Sequence, residues 1–134
     1  MLLTALSIFD AVSDARNNMH QLAEHAEAEL PTLAKQFLGS QVPSPVVCVG
    51  FGPMAFAARE PALKVMELTA GKVPAIWDST FGFRHGPKSF GVSGSPIYVL
   101  RSAGYPATEY EADLVEELRV QFPEAKTMTI GENV

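Results

Sequence analysis

The run Val46-Val47-Cys48-Val49 restricts the fold of this chain more than any other segment. It is short, apolar and β-branched, with no polar alternation, as in a strand covered on both faces. Parallel strands of that kind need crossover helices to cover them. Gly50-Phe51-Gly52-Pro53 reads as a tight turn, residues 54–70 as a helix with Gly71 at its C′ position, and residues 73–77 as a second strand closed by Asp78. A loop with short irregular elements runs through residue 95, and a third strand spans 96–100. Thr108 caps a helix reaching to about residue 121, with Leu114, Leu118 and Val120 among its apolar residues and its acids on a solvated face. Pro123 stops that helix before a fourth strand at 126–130. The order β-α-β-loop-β-α-β predicts an α/β fold, a three-layer α-β-α sandwich around a parallel sheet.

Upstream, residues 14–38 carry apolar side chains at helical spacing, and Pro31 is expected to divide or kink that helix. The domain reading is residues 1–38 as N-terminal helices and 39–134 as the sheet domain. His20 and His25 are five apart, on different helix faces, so they do not predict a shared metal. No metal and no cofactor is called for. The net charge of −5 argues against a nucleic-acid partner. With one cysteine, Cys48, no intrachain disulfide can form, and a reducing cytoplasm is the expected setting. No apolar run reaches the ~20 residues of a membrane span. The opening Met1–Phe9 is apolar but lacks the basic start of a signal peptide and meets Asp10 at once. Both ends read as cut from something longer.

In parallel sheets, ligands sit outside the carboxyl ends of the strands. Those ends deliver Gly50-Phe51-Gly52, then Asp78-Ser79-Thr80 with the loop Phe81 to Ser89, then Arg101-Ser102. Gly50, Gly52 and Ser79 are candidate substrate-binding residues. Arg84 and Lys88 flank His85 and predict an anion site, with phosphate the natural anion. The helix after the first strand carries Glu60, Lys64 and Glu67, within about 60° of one another. Such a stripe is a common helix-stabilising arrangement, but with a titratable His85 and an anion clamp it suits acid–base chemistry on a phosphorylated metabolite. A competing pattern is Gly50-x-Gly52-x-x-Ala55 followed by Asp78, which matches a nucleotide-binding Rossmann turn. Its acid comes 28 residues after Gly50, longer than the usual spacing of about 20.

The stretch Glu60-Pro61-Ala62-Leu63-Lys64-Val65-Met66-Glu67 resembles the Glu-x-Ala-Leu-Lys-x-x-Glu helix of the sugar isomerase (SIS) family. The loop Gly82-Phe83-Arg84-His85-Gly86-Pro87-Lys88-Ser89 resembles that family's His-Gly-Pro loop. The longer wording, with Glu67-Leu68-Thr69-Ala70-Gly71-Lys72 and Trp77-Asp78-Ser79, is similar to the tagatose-6-phosphate ketose/aldose isomerase branch, also described as galactosamine-6-phosphate deaminases. The segment from Tyr105 to Leu118 is similar to the same branch, and together the matches cover residues 46–130. The resemblance implies a flavodoxin-like SIS sheet. It implies that Glu67 carries a proton between C1 and C2 of a sugar phosphate, that His85 assists ring opening, and that Lys64 and Glu60 support them. In the deaminating branch, the 2-amino group leaves as ammonia.

Family enzymes carry two SIS domains, the first with a Ser/Thr-rich phosphate loop that has no counterpart here. By resemblance, residues 1–9 match the end of that first domain, and the second stops short of its last helix and strand. Pro61 departs from the family's small residue and is expected to kink the helix and re-aim Glu60. The expectation is a sugar-phosphate isomerase acting on a phosphorylated sugar or amino sugar, as a homo-oligomer, with no membrane partner. A non-catalytic sugar-phosphate-binding regulatory module is the alternative, beside the Rossmann reading.

Overall fold

The computed structural model describes residues 12–37, 45–91 and 94–131. The apolar opening Met1–Phe9, most of the loop at 39–45 and the last three residues lie outside the described residues. The chain forms two compact units, residues 1–41 and 42–134. The described part of the first is helix α1 (Val12–Phe37). It runs through Pro31 as one element, so the expected division is corrected. Pro31 is exposed, where water can take up the carbonyl that the ring leaves unbonded. His20 and His25 are both exposed on it.

The second unit begins with β1 (Val46–Gly50), buried along its whole length as its unbroken apolar run predicts. It continues with α2 (Pro53–Leu68), β2 (Ala75–Ser79), α3 (Thr80–His85), a 3₁₀ turn (Pro87–Gly91), β3 (Pro96–Leu100), α4 (Ala107–Gln121) and β4 (Lys126–Ile130). The four strands are parallel in the order β2-β1-β3-β4. Val47 is paired with Ile76 on one side and Ile97 on the other, which fixes the register of the central strand.

Side-chain alternation divides the core into two layers. Val46 and Cys48 point to the face covered by α2, where they meet Ala58, Ala62, Val73 and Ala75. Val47 and Val49 point to the opposite face, with Phe83 of α3, Ile97, Val99 and the α4 residues Leu114, Val115 and Leu118. Each fully buried Val or Leu contributes roughly 1.5–3 kcal/mol. Chain order dictates which helix covers which face. The step β1→β2 moves one way across the sheet, and the steps to β3 and β4 move the other way. Right-handed crossovers in opposite directions put their connections on opposite faces.

Four local expectations are corrected, the first of them on α2, which is one continuous element through the exposed Pro61. Its end comes one residue earlier than Gly71 suggests: Ala70 N–H donates to Glu67 O at 3.1 Å and Gly71 N–H to Met66 O at 2.8 Å. That is the paired C-terminal motif with Ala70 at C′, so Ala70 takes the positive φ of 51°. β2 begins at Ala75, two residues late, with Pro74 O accepting from Val46 N–H at 3.0 Å. The N-cap of α4 is Pro106 rather than Thr108, since proline has no N–H to leave unpaired. On α4, Val120 is 70% exposed, whereas Glu111, expected outside, is fully buried.

Two substitutions follow. Pro61→Ala restores the helical donor and relieves the ring clash, raising stability by up to about 3 kcal/mol in denaturant unfolding. Ala70→Gly removes the cost of a left-handed alanine, and the expected gain is about 0.5–1 kcal/mol, net of the added chain entropy of glycine.

Candidate active site

The β1–α2 turn is built on glycine for packing reasons. A Cβ on Gly50 would stand 2.4 Å from the Met54 carbonyl carbon, and Gly52 has φ 51°. The donors opening α2 are largely spent. Pro53 has none, Met54 N–H donates to Phe51 O at 2.9 Å, and Ala55 N–H to Gly52 O at 3.1 Å. A phosphate cradle of the dinucleotide type needs those N–H groups, so the turn does not favour the Rossmann reading. Three rings pack together beside it: Phe51 and Tyr110 stack at 5.6 Å, with Phe81 edge-on to both at 5.6 and 5.0 Å.

Ser79 caps α3, its Oγ accepting from Gly82 N–H at 2.9 Å. A Cβ on Gly82 would fall 2.1 Å from Asp78 Oδ1, so a larger residue there would displace the Asp78 carboxylate. Ser79 is thus already engaged in holding the short helix that ends at His85. His85 is exposed, at the junction of α3 and the 3₁₀ turn.

Arg84 and Lys88 do not stand open around His85. Arg84 Nε lies 2.8 Å from Glu117 Oε2, and Lys88 Nζ donates to Glu117 Oε1. The Lys88 hydrogen bond, with the charges of Lys88 and Arg84, holds the Glu117 carboxyl below its usual range, against the opposing effect of desolvation. Two cations on one carboxylate leave one surplus positive charge, but the pairing ties the loop to α4 rather than forming a free clamp. Glu117 was expected on a solvated face.

Glu60, Lys64 and Glu67 are brought together as the spacing predicts. Lys64 Nζ donates to Glu67 Oε2 at 2.6 Å and stands 3.9 Å from Glu60 Oε1. All three are exposed on α2. The Glu67 hydrogen bond, then its charge, keeps the Lys64 ammonium above its ordinary pKa. Cys48 is excluded as a nucleophile by the same kind of argument: burial pushes its thiol up to about 11.

The acid stripe and His85 do not meet within one chain. α2 packs on the Cys48 face of the sheet, and α3 packs on the Val49 face through Phe83. Glu67 also sits one residue from the end of α2, two-thirds of the way or more from the carboxyl edge toward the amino edge. The single constellation expected at the strands' carboxyl ends is therefore divided between two faces.

The residue that sequence reasoning missed is Glu111. Its Oε2 accepts from Ser102 N–H at 2.9 Å and lies 3.4 Å from Arg101 Nε, while Oε1 accepts from Ser102 Oγ at 2.7 Å. This buried carboxylate fixes the carboxyl end of β3. The signal was present: Glu111 shares the i, i+3, i+4, i+7 stripe with Leu114, Val115 and Leu118. Among the described residues no three His, Cys, Asp or Glu side chains group as a metal site, and no helix is long and apolar enough to cross a membrane.

The four-stranded parallel sheet with helices on both faces is an α/β fold shared with isomerases of the SIS family, and the chain is similar to members of that family. Within that family it is 38% identical, over its whole length, to the D-galactosamine-6-phosphate deaminase AgaS of Shewanella sp. (strain ANA-3), and 39% identical over 89% of its length to that of Escherichia coli. It superposes on the crystal structure of the Escherichia coli tagatose-6-phosphate ketose/aldose isomerase with a TM-score of 0.71, at 39% identity over 80% of this chain and 30% of the other. The chain spans about a third of the length of the curated relatives it matches, 34% and 32% for the two deaminases. No family model matches it.

The Glu117 tether predicts a pH dependence. Its folded pKa is depressed, so its contribution is present above the unfolded carboxylate value of about 4.3 and is lost as pH falls through the lower folded value. Glu117→Gln should lower the thermal midpoint at pH 7 and flatten its fall between pH 5 and 3, as followed by thermal melts across that range.

Proposed function

We propose that this chain carries the catalytic helix of a sugar-phosphate ketose/aldose isomerase that also deaminates galactosamine 6-phosphate. The observation that carries the reading is the Lys64–Glu67 pair at 2.6 Å, exposed on a helix that keeps the family's glutamate–lysine–glutamate spacing. The names of the relatives support the substrate class, a phosphorylated hexose or amino hexose.

In this reading the Glu67 carboxylate takes the proton from the carbon beside the carbonyl of the open sugar. The electron pair moves into an enediol-type intermediate, and the proton returns to the neighbouring carbon. The Lys64 ammonium, already bonded to Glu67, orients the carboxylate and offsets the charge that develops on the sugar. Glu60 shares Lys64 and limits its swing. With a 2-amino sugar, the same proton transfer leaves an imine at C2. Water adds there, and ammonia departs to leave a ketone. His85 protonates and deprotonates the ring oxygen during opening. The Arg84–Lys88 cluster supplies its surplus positive charge to the anionic substrate near His85, alongside Ser79, Gly50 and Gly52 at the carboxyl edge.

Because Glu67 and His85 occupy opposite faces of the sheet, a site using both takes His85 from a second copy of the chain. A homo-oligomer follows from that requirement. The single cysteine supports a reducing cytoplasmic setting. The separation of the two groups also favours a second reading, a sugar-phosphate-binding module without turnover, where that assembly is not made.

The test follows ammonia and ketose release from galactosamine 6-phosphate in the protein that carries this chain. Glu67→Gln should lower kcat by ~10²–10⁴-fold. Mixing inactive Glu67→Gln and His85→Ala proteins should restore about a quarter of wild-type activity, the statistical share of sites with both groups intact. Failure of a folded, substrate-binding wild type to release product would leave only the binding-module reading.

A further inference from the structure

His85 is the last residue of α3, a helix of only six residues, and Gly86 and the 3₁₀ turn follow at once. A helix that short is unstable alone and frays at its ends. The front of α3 is secured. Ser79 Oγ accepts from Gly82 N–H at 2.9 Å, and Phe83 is fully buried in the core with Val47, Val49 and Ile97. The last turn, which carries the exposed His85, is fastened from elsewhere.

That fastening comes from α4. Arg84 immediately precedes His85, and Lys88 follows it by three residues. Arg84 Nε lies 2.8 Å from Glu117 Oε2, and Lys88 Nζ donates to Glu117 Oε1. One carboxylate thus grips the chain on both sides of His85, with one oxygen for each side. The three side chains are only 17–25% exposed, so salt screens these pairs less than pairs on the open surface. Glu117 is itself firmly placed, since Leu114 and Leu118 of the same helix are fully buried in the core. Without it, two cations would repel each other across the imidazole. His85 is the sole histidine of residues 42–134. A side chain that acts on a sugar held by another copy has to be aimed by its own chain before the two meet.

We propose that Glu117 is a positioning residue for the isomerase/deaminase reaction. By holding Arg84 and Lys88 on either side of His85, it fixes the turn that presents the imidazole to the sugar's ring oxygen in a site completed by a second copy. This rests on the isomerase/deaminase reading. Glu117 acts through His85, and the proton transfer at Glu67 does not involve it. A role confined to occupying the two cations predicts the opposite kinetics, because freeing Arg84 and Lys88 would then tighten binding of the anionic substrate and leave kcat unchanged.

The test measures kcat and KM for galactosamine 6-phosphate in the protein that carries this chain, at a temperature where melts show each variant folded. Glu117→Ala should lower kcat by about 10²-fold, with KM changed by less than about threefold. Glu117→Gln, which keeps the shape and loses the charge, takes its place if the alanine variant does not fold. Glu117→Asp, which keeps the charge, should recover part of the loss. Val115→Ala loosens the buried side of the same helix away from the clamp, and should lower the melting midpoint while leaving kcat within about twofold of wild type. Mixing places the effect. Glu117→Ala with Glu67→Gln should restore about a quarter of wild-type activity, and Glu117→Ala with His85→Ala should restore none. Unchanged kcat in Glu117→Ala overturns the proposal and leaves the isomerase/deaminase reading standing. So does a lower KM at unchanged kcat, an equal loss in Val115→Ala, recovery in the mixture with His85→Ala, or no recovery in the mixture with Glu67→Gln. A folded wild type that turns over nothing overturns the isomerase/deaminase reading and this proposal with it.

Discussion

The handedness of the crossovers governs everything else in this molecule. A right-twisted strand feeding a helix returns to the sheet in one hand only. With strands ordered β2-β1-β3-β4, the chain travels one way to β2 and the other way to β3 and β4. α2 is therefore committed to one face, and α3 and α4 to the other. No side-chain substitution short of reordering the strands could bring Glu67 and His85 onto the same face. The separation of the two motif-bearing segments is a topological fact before it is a chemical one.

Packing then decides how each face presents its polar groups. Ala55, Ala58 and Ala62 are buried, and their small side chains let α2 lie close on the sheet. That leaves Glu60, Lys64, Glu67, Phe56 and Arg59 on the outward and flanking sides, exposed, with the charges of Glu60, Lys64 and Glu67 paired only among themselves. On the other face the polar groups are drawn inward. Glu117 holds Arg84 and Lys88, and Glu111 holds Arg101 and Ser102. One face keeps its charged and aromatic groups exposed, and the other pairs its charges internally. Each of these two carboxylates accepts hydrogen bonds from residues far along the chain, and each orders a loop at the edge of the sheet.

Much of this was legible in residue order. The apolar run of β1 announced a strand covered on both faces, and the spacing of Glu60, Lys64 and Glu67 announced their contact. The resemblance to the SIS family rested on those same residues, and the relatives and the fold agree with it. Other features were hidden for identifiable reasons. Pro31 read as a break because intrinsic propensity was given more weight than solvent access. Ala70 was passed over as a C′ residue because Gly71 beside it is the better candidate on local grounds. Glu111 and Glu117 were assigned to solvent because acids on a helix usually face it. Their cationic partners lie 10 and 29–33 residues away in sequence, beyond any local pattern.

By itself, then, the sequence determined which segments are strands, which are helices, and which ionisable groups share a helix turn. These depend on side-chain periodicity and on contacts within a few residues. Only the tertiary structure decided the order in which the strands pair, and with it which motif lies on which face. It also decided that Arg84 and Lys88 are neutralised by Glu117 while Arg59 is left over Trp77 with no carboxylate partner among the described residues. Pairing order and charge pairing are set by contacts between residues far apart in the chain, and local periodicity carries no record of them.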